Sequence, residues 1–185
     1  MTDRSNPVRS AESAEEYLRL EAELNDRHEF VDGLMFGIAG GTVQHAQIAL
    51  RLAAKLLEAT EETDCEVVTS DVKLQIGDVH YYPDVMLSCT EVKLERRFFK
   101  SPCFVAEVLS GSTAPIDRGE KLLNYRTIPS LQTYVLLAQD TIRAEVYSRL
   151  TGDAWRYEVL ESDAMLEIPC AGLSLPVSSL YKGVL

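Results

Sequence analysis

The sequence lacks any apolar run approaching the roughly 20 residues that a transmembrane helix needs. Its first residues, Met1 to Ser10, are polar and do not contain the apolar centre of a secretory signal. These two absences predict a cytoplasmic protein that makes no contact with a membrane.

Positive charge is also scarce, because 18 lysine and arginine residues stand against 29 aspartate and glutamate residues and leave a net charge of −11. Proteins that bind nucleic acid mainly through its phosphates carry an excess of lysine and arginine. The composition therefore argues against a general nucleic-acid-binding protein. It does not exclude a nuclease, because bound divalent cations offset clustered carboxylates locally.

Cysteine pairs with CxxC spacing are absent, and the three histidines are scattered rather than set at ligand spacing. The cysteines are Cys65, Cys89, Cys103 and Cys170. Their neighbours are apolar and typical of strands, so we predict buried, reduced thiols rather than a disulfide framework or a cysteine-bound metal.

The remaining composition is that of an ordinary globular protein, with 46% hydrophobic and 25% charged residues. A chain of 185 residues is long enough for one domain with its own core and leaves little room for a second. We therefore expect a single domain over residues 1–185, with residues 1–12 flexible.

Capping and periodicity patterns predict three helices. A Ser-x-x-Glu capping box begins the first, and apolar residues at every fourth position mark the second. The third follows a break rich in serine and glycine and ends before a proline. These helices cover residues 14 to 24, Val43 to Thr60, and 115 or 117 to 126, each within a few residues.

Short apolar runs predict the strands, and the Asp32-Gly33 pair supplies the positive φ of a hairpin turn between the first two. The order of the elements predicts an α/β (α+β) fold, in which helices flank a mixed β-sheet. The predicted strands cover residues 29–31, 34–36, 67–76, 81–89, 103–109, 131–138, 141–149 and 154–160.

Two acidic residues stand among neighbours that predict buried strands. Asp84 opens one such strand, and Glu107 lies inside the next. A buried carboxylate is costly unless it is ion-paired, hydrogen-bonded or bound to a metal. Two carboxylates on neighbouring strands can converge on one hard cation such as Mg²⁺, which prefers oxygen ligands. The structural alternatives are an arginine or backbone amides beside Glu107, and simple turn chemistry at Pro83-Asp84.

The segments around these acids resemble the Uma-two family of restriction-endonuclease-like proteins, which belongs to the PD-(D/E)XK nuclease superfamily. The likeness extends over nearly the whole chain, with the motifs in the same order. The matching segments are Glu16-Tyr17-Leu18, Glu29-Phe30-Val31-Asp32-Gly33, Gly41 to His45, Ser70-Asp71-Val72, Tyr82-Pro83-Asp84-Val85, Ala106 to Ser110, Asp117 to Lys121, and Tyr125 to Leu131.

This resemblance implies an endonuclease that hydrolyses DNA phosphodiester bonds with Mg²⁺, or with Mn²⁺ in its place. The superfamily pattern places an aspartate on one strand and Glu-x-Lys on the next. Asp84 and Glu107 match the two acidic positions and are the expected metal ligands. Leu109 stands where the lysine is expected, and Lys121 in the matching Asp-Arg-Gly-Glu-Lys segment resembles a migrated replacement.

Lys73 is the second choice for the missing lysine. For Lys121, a solvated helix lysine paired with Asp117 stays open as the structural alternative. The resemblance also implies that Glu29 reaches the catalytic cluster. His45 and Asp71 are candidates for substrate contact, with an ordinary helix start and a turn as their structural alternatives.

Basic and aromatic residues interleave between Glu91 and Lys100, a pattern that suits phosphate contact and base stacking. Arg96 and Arg97 are therefore candidates for substrate binding, although a solvated loop has the same composition. DNA is the expected partner and a homodimer the expected assembly. The alternative is a degenerate nuclease fold that binds nucleic acid or a protein without cutting, which Leu109 and the acidic balance favour.

Overall fold

A computed structural model describes residues 4–90 and 98–185 of the chain. Its strands are β1 (Arg9–Ser10), β2 (His28–Val31), β3 (Leu34–Gly37), β4 (Glu66–Thr69), β5 (Lys73–Ile76), β6 (Val79–Tyr81), β7 (Val85–Ser88), β8 (Phe98–Phe99), β9 (Phe104–Leu109), β10 (Thr133–Ala138), β11 (Arg143–Arg149), β12 (Trp155–Glu161), β13 (Met165–Ile168) and β14 (Leu173–Pro176). The helices are α1 (Ala14–Glu23), α2 (Val43–Thr60), α3 (Ala114–Ile116) and α4 (Leu122–Arg126), and a π turn (Asp117–Lys121) joins the last two.

The strands form two mixed sheets and a small hairpin, which is the α+β architecture that the element order predicts. The first sheet has the order β1-β3-β2-β6-β5-β8, and the second has the order β12-β11-β10-β9-β7-β4. Strands β9 and β10 are parallel, and the helical segment from α3 to α4 connects them. Strands β13 and β14 form the separate hairpin.

The layers follow from the alternation of side chains along the strands. In β9, Phe104, Ala106 and Val108 pack with α2 and the C-terminal hairpin, whereas Val105 and Leu109 face the first sheet. Helix α1 covers the opposite side of the first sheet through a smaller apolar cluster. The second sheet is therefore covered on both faces, as its apolar strands require.

Two predicted strands are wrong in one respect, because each is divided between the two sheets. The run over 67–76 breaks at a turn that contains Asp71, so that β4 pairs in the second sheet and β5 in the first. The run over 81–89 breaks at Tyr82-Pro83-Asp84, between β6 and β7. Proline cannot donate a ladder hydrogen bond, which makes this position a natural crossing point.

The predicted helices and the first hairpin are confirmed. The Ser13 hydroxyl accepts a hydrogen bond from the Glu16 amide at 3.1 Å and caps α1. Asp32 and Gly33 have φ values of +50° and +79°, as a tight hairpin turn requires. Within the two described ranges, no helix is both long and apolar enough to span a membrane. Part of the segment expected to be flexible forms β1, which pairs with β3.

The prediction of four reduced thiols is wrong in this structure. Cys65 is disulfide-bonded to Cys89, and Cys103 to Cys170. The reason is topological, since Cys65 precedes β4, Cys89 follows β7 and Cys103 precedes β9. Because β7 is antiparallel to both of its neighbours, these three residues share one end of the second sheet.

Candidate active site

The candidate site lies where the chain crosses from the first sheet to the second. Asp84 ends this crossing, directly before β7, and its Oδ2 atom accepts a hydrogen bond from the Val108 amide at 2.8 Å. The Asp84 amide in turn lies 3.3 Å from Glu107 Oε2 and donates a hydrogen bond to it. These two bonds hold both carboxylates at the junction of β7 and β9.

Glu107 is buried on the face of β9 that is directed toward the first sheet, with 3% of its surface exposed. Its Oε1 atom accepts hydrogen bonds from Lys121 Nζ at 2.9 Å and from the Tyr125 hydroxyl at 2.8 Å. Burial raises the pKa of Glu107 above its ordinary value, and the nearby Lys121 ammonium opposes this shift. Glu107 is therefore a carboxylate that is costly to keep charged without cationic partners.

Lys121 is buried among three carboxylates. Its Nζ atom lies 2.9 Å from Glu107 Oε1, 3.2 Å from Glu29 Oε1 and 3.2 Å from Asp117 Oδ1. Burial lowers the pKa of Lys121, but the facing carboxylates raise it well above its ordinary value. The predicted alternative of a solvated helix lysine is therefore wrong, although the pairing with Asp117 is present.

A π turn positions Lys121 and Asp117. Such turns are rare and occur mostly as single insertions in α-helices at functional sites. The turn covers the sheet so that both side chains are directed inward, and Asp117 is 2% exposed. Burial raises the pKa of Asp117 above its ordinary value, while Lys121 opposes this shift. Asp117 Oδ1 accepts no hydrogen bond within the described residues.

Glu29 reaches the cluster from β2 in the first sheet. Its Oε2 atom accepts a hydrogen bond from Arg4 at 2.9 Å, while Oε1 faces Lys121. Arg4 also donates to Glu120 at 2.8 Å, and it therefore ties the start of the chain to the π turn. The site thus combines side chains from both sheets and from the helical connection.

His45 reaches Asp84 from the first turn of α2. The Thr42 hydroxyl caps this helix by accepting a hydrogen bond from the His45 amide at 3.1 Å. The His45 ring then places Nε2 at 3.1 Å from Asp84 Oδ2. Gly41 leaves room for the ring, because a Cβ atom built there would lie 3.0 Å from His45 Nδ1.

These residues line one cavity of about 450 Å³. Its wall contains the predicted residues Glu29, His45, Asp84, Glu107 and Lys121 together. The same wall includes four carboxyl groups, which outnumber its basic side chains, Arg27, His45 and Lys121.

The other sequence candidates lie elsewhere or outside the described ranges. Asp71 is in the turn between β4 and β5, where it pairs with Arg27 at the cavity rim. The Lys73 ammonium lies 5.1 Å from the centroid of the Tyr82 ring. Of the two lysines considered, Lys121 is the one that contacts Glu107. Arg96 and Arg97 fall outside the described residues.

Sequence reasoning assigned no role to Arg4, Tyr125 or Glu120, and it treated Asp117 only as a helix partner of Lys121. Tyr125 and Asp117 lie inside the family-like segments, which was the available signal. The sequence around Arg4 offered no such signal, because its partners Glu29 and Glu120 are distant along the chain.

The donor set of the cavity fits a hard divalent cation. Asp84 and Glu107 offer carboxylate oxygens from adjacent strands, and Mg²⁺ and Mn²⁺ prefer such ligands. In the arrangement described for residues 4–90 and 98–185, no three acidic, histidine or cysteine side chains already surround one cation-sized point. The Lys121 ammonium lies among Glu29, Glu107 and Asp117 instead, so a cation at Glu107 would have to displace it or share that carboxylate with it.

Two relatives match most of the chain. The chain is 34% identical to slr1290 of Synechocystis sp. (strain ATCC 27184 / PCC 6803 / Kazusa), over 93% of this chain and 92% of that protein. It is 33% identical to sll1609 of the same organism, over 84% and 91% respectively. Both relatives are described as uncharacterized proteins.

A solved structure shares the fold. It is described as a "putative nuclease belonging to DUF820" from Anabaena variabilis ATCC 29413, with a TM-score of 0.77 and 17% identity, and the match covers 95% of this chain and all of that one. A family model named Uma2, described as "Putative restriction endonuclease", matches residues 14–178. The chain therefore belongs to the Uma2 family and has a restriction-endonuclease-like fold.

Proposed function

We propose that this protein is a Mg²⁺-dependent endonuclease that hydrolyses DNA phosphodiester bonds in the cavity formed by Asp84, Glu107 and Lys121. One observation carries the proposal. The Asp84 amide donates a hydrogen bond to Glu107 Oε2, which brings the two acidic residues together where β7 meets β9, beside a buried lysine. Mn²⁺ is the expected substitute for Mg²⁺, because both take carboxylate oxygens as ligands.

Asp84 and Glu107 are the residues that would hold the cation. When bound, a divalent cation polarises a phosphate oxygen and lowers the pKa of a coordinated water. Lys121 supplies a fixed positive charge that stabilises the negative charge developing on the phosphate. Glu29 and Asp117 keep that ammonium protonated and in place from two other sides.

His45 holds Asp84 in position and is available to contact the substrate. Its Nε2 atom lies 3.1 Å from the carboxylate that would bind the cation, and groups beside metal ligands commonly orient them. Because His45 and Asp84 are each partly exposed to the cavity, the same ring lies within reach of a bound phosphate group.

A direct assay tests this proposal. Supercoiled plasmid should be nicked and linearised by the full chain with Mg²⁺ or Mn²⁺, and a chelator should stop the reaction. Cleavage that is equally fast with and without the chelator would contradict metal dependence. Absence of cleavage with both metals on duplex and single-stranded DNA would contradict the hydrolase proposal.

The alternative is a degenerate fold member that binds nucleic acid or a protein without cutting. Two observations favour it: Leu109 packs in the apolar cluster at the usual lysine position, and the Lys121 ammonium already neutralises Glu107. Electrophoretic mobility shifts without cleavage, unaffected by chelator, would support this alternative over hydrolysis.

A homodimer is the assembly that we propose for cleavage of both strands. Support comes from Val43, Leu50 and Leu57 of α2, which are 79%, 59% and 57% exposed although they are large and apolar. Their seven-residue spacing places them along one side of the helix, where a second helix can pack. Light scattering of the purified chain tests this part of the proposal, and a monomer at all concentrations would contradict it.

The close approach of the His45 ring to Gly41 gives a prediction that a single substitution can test. Gly41→Ala should displace the His45 ring from Asp84, because the added Cβ would lie 3.0 Å from Nδ1. Small displacements at a catalytic site lower rates strongly, and we expect plasmid cleavage to slow by about 10-fold or more. Gly40→Ala is the matched control, because its Cβ would meet nothing within 4 Å. Equal rates for the two variants would show that the position of His45 does not matter.

A further inference from the structure

All four cysteines of the chain converge at one place, although they are far apart in sequence. Cys65 precedes β4, Cys89 follows β7, Cys103 precedes β9, and Cys170 lies in the turn that joins β13 to β14. The pairing of β7 with β4 and β9 brings the first three together, and the packing of the C-terminal hairpin on the core adds the fourth.

The two disulfides are in contact with each other. Cys89 Sγ lies 3.9 Å from Cys103 Sγ, which belongs to the other pair, and 3.6 Å from the carbonyl oxygen of Cys170. The four sulfurs therefore form one cluster rather than two separate crosslinks. Cys103 is buried, and the other three are half-buried, so that the cluster is close to solvent.

The distance of 3.9 Å between Cys89 Sγ and Cys103 Sγ matches the sulfur–sulfur distance in a four-thiolate metal site. In a tetrahedral zinc site with Zn–S bonds of about 2.3 Å, neighbouring sulfurs are about 3.8 Å apart. The Cα atoms within each pair are 4.0 and 6.3 Å apart, so changed cysteine rotamers can open each pair to that sulfur separation. Four cysteine thiolates are one of the ligand sets found in structural zinc sites.

We infer that the reduced protein binds one Zn²⁺ through Cys65, Cys89, Cys103 and Cys170, and that the disulfides described above are the oxidised form of this site. Reduction of both disulfides by two equivalents of a dithiol takes up four electrons and four protons and gives four thiols. Zn²⁺ binding to all four then releases four protons. Oxidation by two equivalents of a disulfide oxidant expels the cation and restores both crosslinks.

The site is structural rather than catalytic. Four protein ligands leave no open position for a substrate. The cluster also lies away from the cavity, because Asp84 precedes β7 whereas Cys89 follows it. In both redox states it fastens the start of β4 and the C-terminal hairpin to the second sheet, but only the reduced state depends on a metal. A reducing compartment would keep the thiols free for this role.

Cobalt titration of the reduced full-length chain tests the inference. After anaerobic reduction and removal of the reductant, Co²⁺ should give the thiolate charge-transfer and d–d absorption bands of a tetrahedral site. One equivalent of Zn²⁺ should abolish these bands and protect all four thiols from alkylation. Four thiols that stay fully reactive in excess Zn²⁺, or an octahedral cobalt spectrum, would overturn the inference.

Matched variants assign the ligands. Cys89→Ser and Cys103→Ser should each weaken Zn²⁺ affinity by more than about 100-fold, since even outer-shell changes cost up to that much. Thr90→Ala, next to Cys89 and exposed, should bind as the unmodified chain does. Asp84→Asn should also retain zinc, which separates this site from the proposed nuclease centre. Unchanged zinc affinity in both serine variants would overturn the assignment, and circular dichroism of the reduced variants would exclude unfolding as the cause of a loss.

Discussion

Replacing Glu107 by glutamine, or Asp84 by asparagine, is expected to lower the rate of Mg²⁺-dependent plasmid cleavage by at least about 100-fold. The reason is that each change removes a negatively charged oxygen ligand, and changes beyond the ligands themselves already cost 10- to 100-fold in metalloenzymes. Both amides retain an oxygen that can accept the hydrogen bonds now donated by the Val108 amide and the Lys121 ammonium, so the fold should persist.

Glu145→Gln is the matched control for this prediction. Glu145 is also a buried carboxylate of the second sheet, 5% exposed, and it pairs with Arg118 rather than with the cavity residues. It lies opposite Leu136 of β10, which in turn lies opposite Glu107. We expect Glu145→Gln to cleave as the unmodified chain does. An equal loss in all three variants would indicate general destabilisation, and full activity of Glu107→Gln would reject the proposed ligand set.

Replacing Lys121 by methionine is expected to lower the free energy of unfolding by about 3–5 kcal/mol, in addition to abolishing cleavage. Methionine fills a similar volume but leaves Glu29, Glu107 and Asp117 buried without their common cation. Removing one partner of a buried ion pair typically costs this much. Urea unfolding followed by circular dichroism measures the loss, and Lys55→Met, on the surface of α2, should change stability by at most about 1 kcal/mol.

The stability of the Lys121→Met variant is also expected to depend on pH and on divalent cations. Without the ammonium, burial raises the pKa values of Glu107 and Asp117 further, so the folded state binds protons that the unfolded state releases. Its stability deficit should therefore shrink as the pH falls and grow as the pH rises. Mg²⁺ at about 100 times its dissociation constant should restore about 2.7 kcal/mol if it binds only the folded chain. A deficit insensitive to both pH and Mg²⁺ would contradict the electrostatic role of Lys121.

Local patterns in the sequence predicted the helices and hairpins well, because those elements depend on neighbouring residues. The four-residue apolar spacing of α2 and the Asp32-Gly33 turn needed no distant contact to be recognised. The breaks at Asp71 and at Tyr82-Pro83-Asp84 were missed, since a continuous apolar run looks the same whether it stays in one sheet or crosses to another.

The candidate site was only partly predictable. The acidic residues Asp84 and Glu107 were noticed because carboxylates are rare among buried strand residues, and the family likeness supplied Lys121 and Glu29. The inward direction of Asp117 depends on the π turn, and the contact of Arg4 with Glu29 depends on long-range folding. Neither feature leaves a pattern in the sequence. The convergence of the cysteines is likewise a product of strand pairing, which spacing along the chain does not reveal.

Anomalous diffraction from crystals grown with Mn²⁺ would test the central claim most directly, because it locates the cation without relying on an activity. We predict a manganese peak in the cavity within coordination distance of carboxylate oxygens from both Asp84 and Glu107, and no peak there in Glu107→Gln crystals. A cavity without manganese at saturating concentration, with Lys121 still bonded to Glu107, would contradict the claim.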